Sequence, residues 1–119
     1  MDTPPPRTGA ASLAELSMTE MADAFRRGEV RAEALVRACL DRVERHDGAV
    51  NTVLRLDRDA ALEGAAAADK ARAGGAEPGP LAGVPMMHKD MYYREGRVST
   101  CGSRIRRDFV PKATATVLR

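Results

Sequence analysis

The 119-residue chain fits one domain of ordinary size, and 44% hydrophobic with 30% charged residues is the composition of a globular, soluble chain. Its 19 basic and 17 acidic residues are interspersed and leave a net charge of +2, which gives no electrostatic footprint for nucleic acid and predicts no direct contact with it. Aromatic residues make up 3% with no Trp, so a core must be built from Leu, Val, Ala and Met, and no run approaches the ~20 apolar residues of a membrane span.

Residues 1–11 are rich in Pro and are expected to form a disordered tail, with residues 12–119 forming the domain portion. Ser17-Met18-Thr19-Glu20 reads as a capping box that opens a helix through Met21, Ala24 and Phe25, with Gly28 as its stop. A longer helix is expected over 31–47. There Leu35, Val36, Cys39, Leu40 and Val43 form one apolar stripe, opposite Arg37, Asp41, Arg42, Glu44 and Arg45, and Gly48 is its stop. Val50 to Leu56 reads as a short strand or extended segment. Asp57 can cap a third helix over 58–73, centred on Ala65-Ala66-Ala67-Ala68 and ended by Gly74-Gly75.

Glu77-Pro78-Gly79-Pro80 is a turn signal, and the apolar run Val84-Pro85-Met86-Met87 follows it as a second candidate strand. That run delivers Lys89 into apolar surroundings. A lysine taken out of water is costly as a cation, so it tends to lose its proton and can serve as a base. Gly96 to Ser103 is a glycine-bracketed polar loop, and Thr114 to Arg119 reads as the start of a further helix. The remaining methionines near the motif (Met86, Met87, Met91), with Met18 and Met21, are expected in the core. Cys39 and Cys101 are far apart and have no histidine at ligand spacing, which predicts reduced thiols and no metal site. The residues Met1 to Arg7 have no apolar h-region, so a cytoplasmic location is expected.

The order of two helices, an Ala-rich helix, Gly79-Pro80-Leu81-Ala82-Gly83-Val84-Pro85, Lys89-Asp90 and a Thr100-Cys101-Gly102-Ser103 loop resembles the amidase signature family. Ala115-Thr116-Val117 matches a later, weaker family position. The variant His88-Lys89-Asp90-Met91-Tyr92-Tyr93 is similar to the subgroup that includes amidases and the A subunit of the glutamyl-tRNA amidotransferase. The resemblance implies an α/β fold in which helices pack on the first strands of a mixed central sheet. It also implies amide hydrolysis by a Ser–cis-Ser–Lys triad with no cofactor, in which Lys89 is the base.

It implies partners as well: a small-molecule amide substrate in the intact enzyme, and a homodimer or amidotransferase subunits. The family's Gly/Ser-rich stretch with both triad serines is not present. The serines here are Ser12, Ser17, Ser99 and Ser103, none flanked in that way. The chain is therefore expected to be an N-terminal fragment that holds the lysine alone and is inactive by itself. A non-catalytic helical interaction module, or the product of a decayed gene, is the alternative. Asp90 is expected to accept hydrogen bonds from loop N–H groups or to pair with an arginine. His88 is expected to be structural, one of Tyr92 and Tyr93 packed and the other exposed. Arg104, Arg106 and Arg107 are expected to be a solvated patch.

Overall fold

A computed structural model describes residues 13–119, so the expected tail at 1–11 lies outside the described residues. The chain divides into two compact units, one running to Pro85 and the other Met86–Arg119. The described residues of the first include the helices α1 (Met18–Arg26), α2 (Ala32–Val50) and α3 (Arg58–Ala73).

Helix α1 starts where the capping box requires. Ser17 N–H donates to Glu20 Oε2 at 2.7 Å, and Glu20 N–H donates to Ser17 Oγ at 3.3 Å. It ends in a Schellman motif: Gly28, at φ 75°, donates to Phe25 O at 3.0 Å, and Glu29 N–H reaches back to Ala24 O at 3.0 Å. Helix α3 has the expected bounds and repeats the device, with Gly75 N–H on Arg72 O and Ala76 N–H on Ala71 O, both 3.0 Å. Asp57 stands at its N-cap position and makes no side-chain capping hydrogen bond.

Helix α2 runs two residues past the expected stop. Gly48 alone does not end a helix when nothing requires a left-handed turn there. The turn comes at Asn51, φ 51° and ψ 52°, a conformation its short polar side chain tolerates. Asp47 secures the exit, because its Oδ1 accepts from Thr52 N at 2.8 Å, Thr52 Oγ1 at 3.1 Å and Val53 N at 2.9 Å. These bonds, that from Thr52 N–H first, hold its carboxyl below the usual aspartate range. Val50 is thus helical, and neither 51–56 nor 84–87 is paired as a strand; no strand occurs among the described residues. A strand exists only through a neighbour's backbone groups, and no described segment offers them to either run.

The stripe of α2 faces α3. Leu35, Val36 and Leu40 are buried, and Cys39 and Val43 half-buried, while Arg37, Asp41, Arg42, Glu44 and Arg45 are exposed. Phe25, Ala32, Val36, Leu40 and Ala65 make one cluster, with Val30, Leu62, Ala68 and Ala82 packed on it. Burying a side chain of the size of Leu35 or Phe25 contributes about 1.5–3 kcal/mol. Of the methionines, Met21 alone among the described residues joins the core; Met18, Met86, Met87 and Met91 are exposed. No strand forms among the described residues to pack over the last three.

Two polar residues on α3 close the helical unit. Asp69, buried, accepts from Ala32 N at 2.8 Å and Glu33 N at 3.1 Å, the first N–H groups of α2, whose own N-cap Arg31 makes no side-chain cap. Arg72 donates through Nη1 to Phe25 O and, at 3.1 Å, to Val30 O, and its guanidinium lies 4.6 Å from the Phe25 ring centroid. Gly83, in the turn closed by Val84 N–H on Leu81 O at 3.2 Å, has φ 78° and sits against that ring: a Cβ there would be 2.6 Å from Phe25 Cγ.

Asp69→Ala is expected to cost about 1–3 kcal/mol by orphaning two helix N–H groups, read as a lower urea midpoint by far-ultraviolet circular dichroism. Gly83→Ala is expected to cost a similar ~1–3 kcal/mol, and Phe25→Leu in the same chain should recover part of that loss, a non-additivity that separate sites would not show.

Candidate active site

Lys89 lies in the second unit, Met86–Arg119. Its carbonyl accepts Tyr92 N–H at 3.0 Å, closing a turn, and His88 Nδ1 lies 3.1 Å from the same oxygen. His88 therefore serves the turn, in keeping with a structural role. The lysine side chain is exposed, as are its neighbours Met86 (64%), Met87 (64%) and Met91 (52%). The apolar surroundings expected of it are therefore supplied in sequence but not in space. The unit grips this segment at Asp90 and Tyr93 and leaves 86–89 at the surface.

Asp90 is held from both its side chain and its backbone. Thr100 N–H donates to its Oδ1 at 3.1 Å and its Oδ2 at 3.0 Å, and Thr100 Oγ1 donates to Oδ2. Ser99 Oγ donates to the Asp90 carbonyl at 2.6 Å. The aspartate thus accepts loop N–H groups, one of the two roles expected of it. Ser99 is 2% exposed, and its own N–H is spent on Phe109 O at 2.9 Å. The loop then turns sharply. Cys101 and Gly102 both have positive φ, 51° and 71°, Gly102 N–H donates to Thr100 Oγ1 at 3.1 Å, and Ser103 N–H to Thr100 O at 2.9 Å. The polar loop is a clasp on Asp90, and its hydroxyls at 99 and 100 are committed to that task.

A second cluster anchors the other side of the segment. The Arg106 guanidinium lies 4.2 Å from the Phe109 ring centroid and 5.3 Å from that of Tyr93, and its Nη2 donates to Tyr93 Oη. The two rings are 5.5 Å apart and tilted at 53°. Ala115 N–H donates to Tyr93 O at 2.8 Å and Gly96 N–H to Pro111 O at 3.3 Å. Tyr93 is the packed tyrosine and Tyr92 the exposed one, as expected. The arginine patch is corrected in one member: Arg104 and Arg107 are exposed, but Arg106 is half-buried between two rings, because the guanidinium face is weakly hydrated and stacks. Sequence reading missed this cluster, since its members lie 13 and 3 residues apart in an irregular segment with no period to reveal them.

Both cysteines are free; burial pushes the Cys39 thiol up, and Cys101 is exposed. Among the described residues no group of three His, Cys, Asp or Glu is placed to hold a metal ion, and no helix is long and apolar enough to cross a membrane.

Residues 34–119 match the family model described as Amidase. The chain is 45% identical over 104 residues to the A subunit of a glutamyl-tRNA(Gln) amidotransferase from Moorella thermoacetica, covering 87% of this chain and 21% of that protein. It is 41% identical over 102 residues to the protein of the same name from Aromatoleum aromaticum, covering 86% and 21%. Among solved structures, a bacterial aryl acylamidase of the amidase signature family matches with a TM-score of 0.80 at 28% identity, over 87% of this chain and 22% of that one. An inhibitor-bound complex described as vestigial, bearing on the origins of an s-triazine catabolic enzyme, matches with a TM-score of 0.81 at 28% identity, over 87% and 23%. The chain spans about a fifth of the length of the curated relatives it matches.

Arg106→Lys keeps the charge and loses the stacked fork, so it is expected to lower the stability of the second unit by about 1–2 kcal/mol, followed through tyrosine fluorescence during urea unfolding. Arg107→Lys, at an exposed ion pair with Asp108, is the control and should leave the midpoint unchanged.

Proposed function

The chain belongs to the amidase family, and from that premise we propose that it supplies the lysine base of an amide-hydrolysing site, with Lys89 as that base. The observation that carries the reading is the seating of Lys89 directly before an aspartate whose carboxylate and carbonyl are both held by the polar loop. A base must present its nitrogen from a fixed backbone, and this clasp provides one.

In the intact site the neutral Lys89 amine takes a proton from an intervening serine hydroxyl, which takes the proton of the nucleophilic serine. The serine oxygen bonds to the amide carbon, and the tetrahedral oxyanion is stabilised by backbone N–H groups. Collapse breaks the C–N bond, the amine or ammonia leaves with the relayed proton, and water then cleaves the acyl-enzyme. The lysine is neutral only where it is desolvated, so a surface must cover the exposed 86–91 strip before it can act. The mixed sheet belongs to the same reading: Val84–Met87 is a strand-ready run, and pairing it would cover the strip.

The serine relay is not drawn from this chain. Ser17 caps α1, and Ser99 is buried with its hydroxyl donating to Asp90 O. Ser103 follows a single Gly102 and precedes Arg104, outside any run of the family's Gly/Ser-rich kind. The substrate class is an amide, and the similarity to the amidotransferase relatives extends the reading to amidotransferase subunits as partners in the cytoplasm.

The 119 residues alone are expected to release no amine from aliphatic or aryl amides; turnover that Lys89→Ala abolishes would show an unforeseen nucleophile within them. A chimera in which this chain replaces the matching portion of the aryl acylamidase is expected to release aryl amine. Lys89→Met should lower that rate about 10²–10⁴-fold, the usual contribution of a positioned base.

A further inference from the structure

Ser99 is a buried hydroxyl that no step of amide hydrolysis uses. At 2% exposure it is the most deeply buried polar residue of the second unit among the described residues, and burial of a hydroxyl is tolerated only when it is hydrogen-bonded. Its single donor proton goes to the carbonyl of Asp90, at 2.6 Å, and its N–H goes to Phe109 O at 2.9 Å. The next residue, Thr100, grips the carboxylate of the same aspartate through N–H bonds of 3.1 and 3.0 Å. One step back along the chain, the Lys89 carbonyl is taken by Tyr92 N–H at 3.0 Å.

The backbone carbonyls of Lys89 and Asp90 are therefore both occupied, and the peptide planes on the C-terminal side of the lysine are fixed by Tyr92 and Ser99. The lysine side chain itself is untouched by the clasp. We infer that Ser99 is a positioning residue for Lys89: its hydroxyl, locked on Asp90 O and backed by Phe109, sets the direction in which the lysine leaves the backbone. This rests on the reading of Lys89 as the base, and it assigns the loop a task in that chemistry beyond joining two segments.

The chemistry of the position makes the inference specific. Alanine keeps the size of Ser99 nearly unchanged but takes the Ser99 donor away from the half-buried Asp90 O. Threonine keeps the donor. In the 119-residue chain, Ser99→Ala is expected to speed exchange of the Tyr92 amide about tenfold, the loss of one ordinary hydrogen bond, with the helical circular dichroism melt unchanged. Ser99→Thr is expected to restore slow exchange. In the aryl acylamidase chimera, Ser99→Ala should lower kcat about tenfold or more with KM unchanged, and Ser99→Thr should recover it, a rescue that a loss of folded protein would not give.

Tyr92 exchange in Ser99→Ala equal to that of the parent chain overturns the inference, as does failure of threonine to restore it. Faster exchange with an unaltered Ser99→Ala chimera rate overturns the positioning role, whereas an unaltered rate in the Lys89→Met chimera overturns the reading of Lys89 as the base, so the two failures are told apart.

Discussion

The helical unit depends on one buried carboxylate. Asp69, on α3, stands where α2 begins and accepts its first two N–H groups, a task that Arg31 at the N-cap position leaves undone. A buried carboxylate is costly unless paired, and this one is met by two helix N–H groups, by Arg31 at 3.5 Å and by Arg72 at 3.9 Å. The positive end of the α2 dipole adds to the match. Because the donor and acceptor sit on different helices, capping α2 and packing α3 against it are the same event. Arg72, one turn on, extends the clamp to α1 by holding Phe25 O and covering the Phe25 ring. Three helices of modest apolar content are thereby held in one arrangement.

That arrangement gives the motif glycine a physical meaning. Gly83 is needed for its positive φ and because the Phe25 ring occupies the space a Cβ would take. The apolar run that continues from it enters the second unit, where a different logic prevails. There the organising groups are a clasped aspartate and an arginine between two rings, and the backbone is irregular throughout apart from two single 3-10 turns, Arg104–Arg106 and Thr116–Leu118. Such a segment has few regular hydrogen bonds to spend, so side chains carry the order: Asp90 gathers Thr100, Ser99 fastens Asp90, and Arg106 joins Tyr93 to Phe109.

For the function this division matters. The chain holds the backbone of the proposed base firmly while leaving its side chain and the flanking methionines in water. Positioning and activation are separate physical tasks. Positioning is local, a matter of a few hydrogen bonds from Tyr92, Ser99 and Thr100. Activation is a matter of dielectric, and requires a surface laid over the 86–91 strip. In the proposed function the first task falls to the clasp on Asp90, and the second to whatever surface covers Lys89.

Much of this was legible in the sequence wherever the signal is local. The Ser17/Glu20 box, the α2 stripe, the Ala-rich helix over 58–73 and the glycine stops of α1 and α3 are set by hydrogen bonds and periodicities spanning a few residues, and all appear where expected. The lysine motif, too, was readable as a string. What only the tertiary structure decided lies at long separations. Asp69 capping a helix 37 residues earlier, Arg72 reaching Phe25 across 47, and Ser99 and Thr100 closing on Asp90 have no periodic trace in the chain. The end of α2 at Asn51 and the exposure of Met86, Met87 and Lys89 were decided the same way. A sequence states which groups can pair or be buried. Only the fold brings a donor to an acceptor, or a surface to an apolar run, and so settles which of them do.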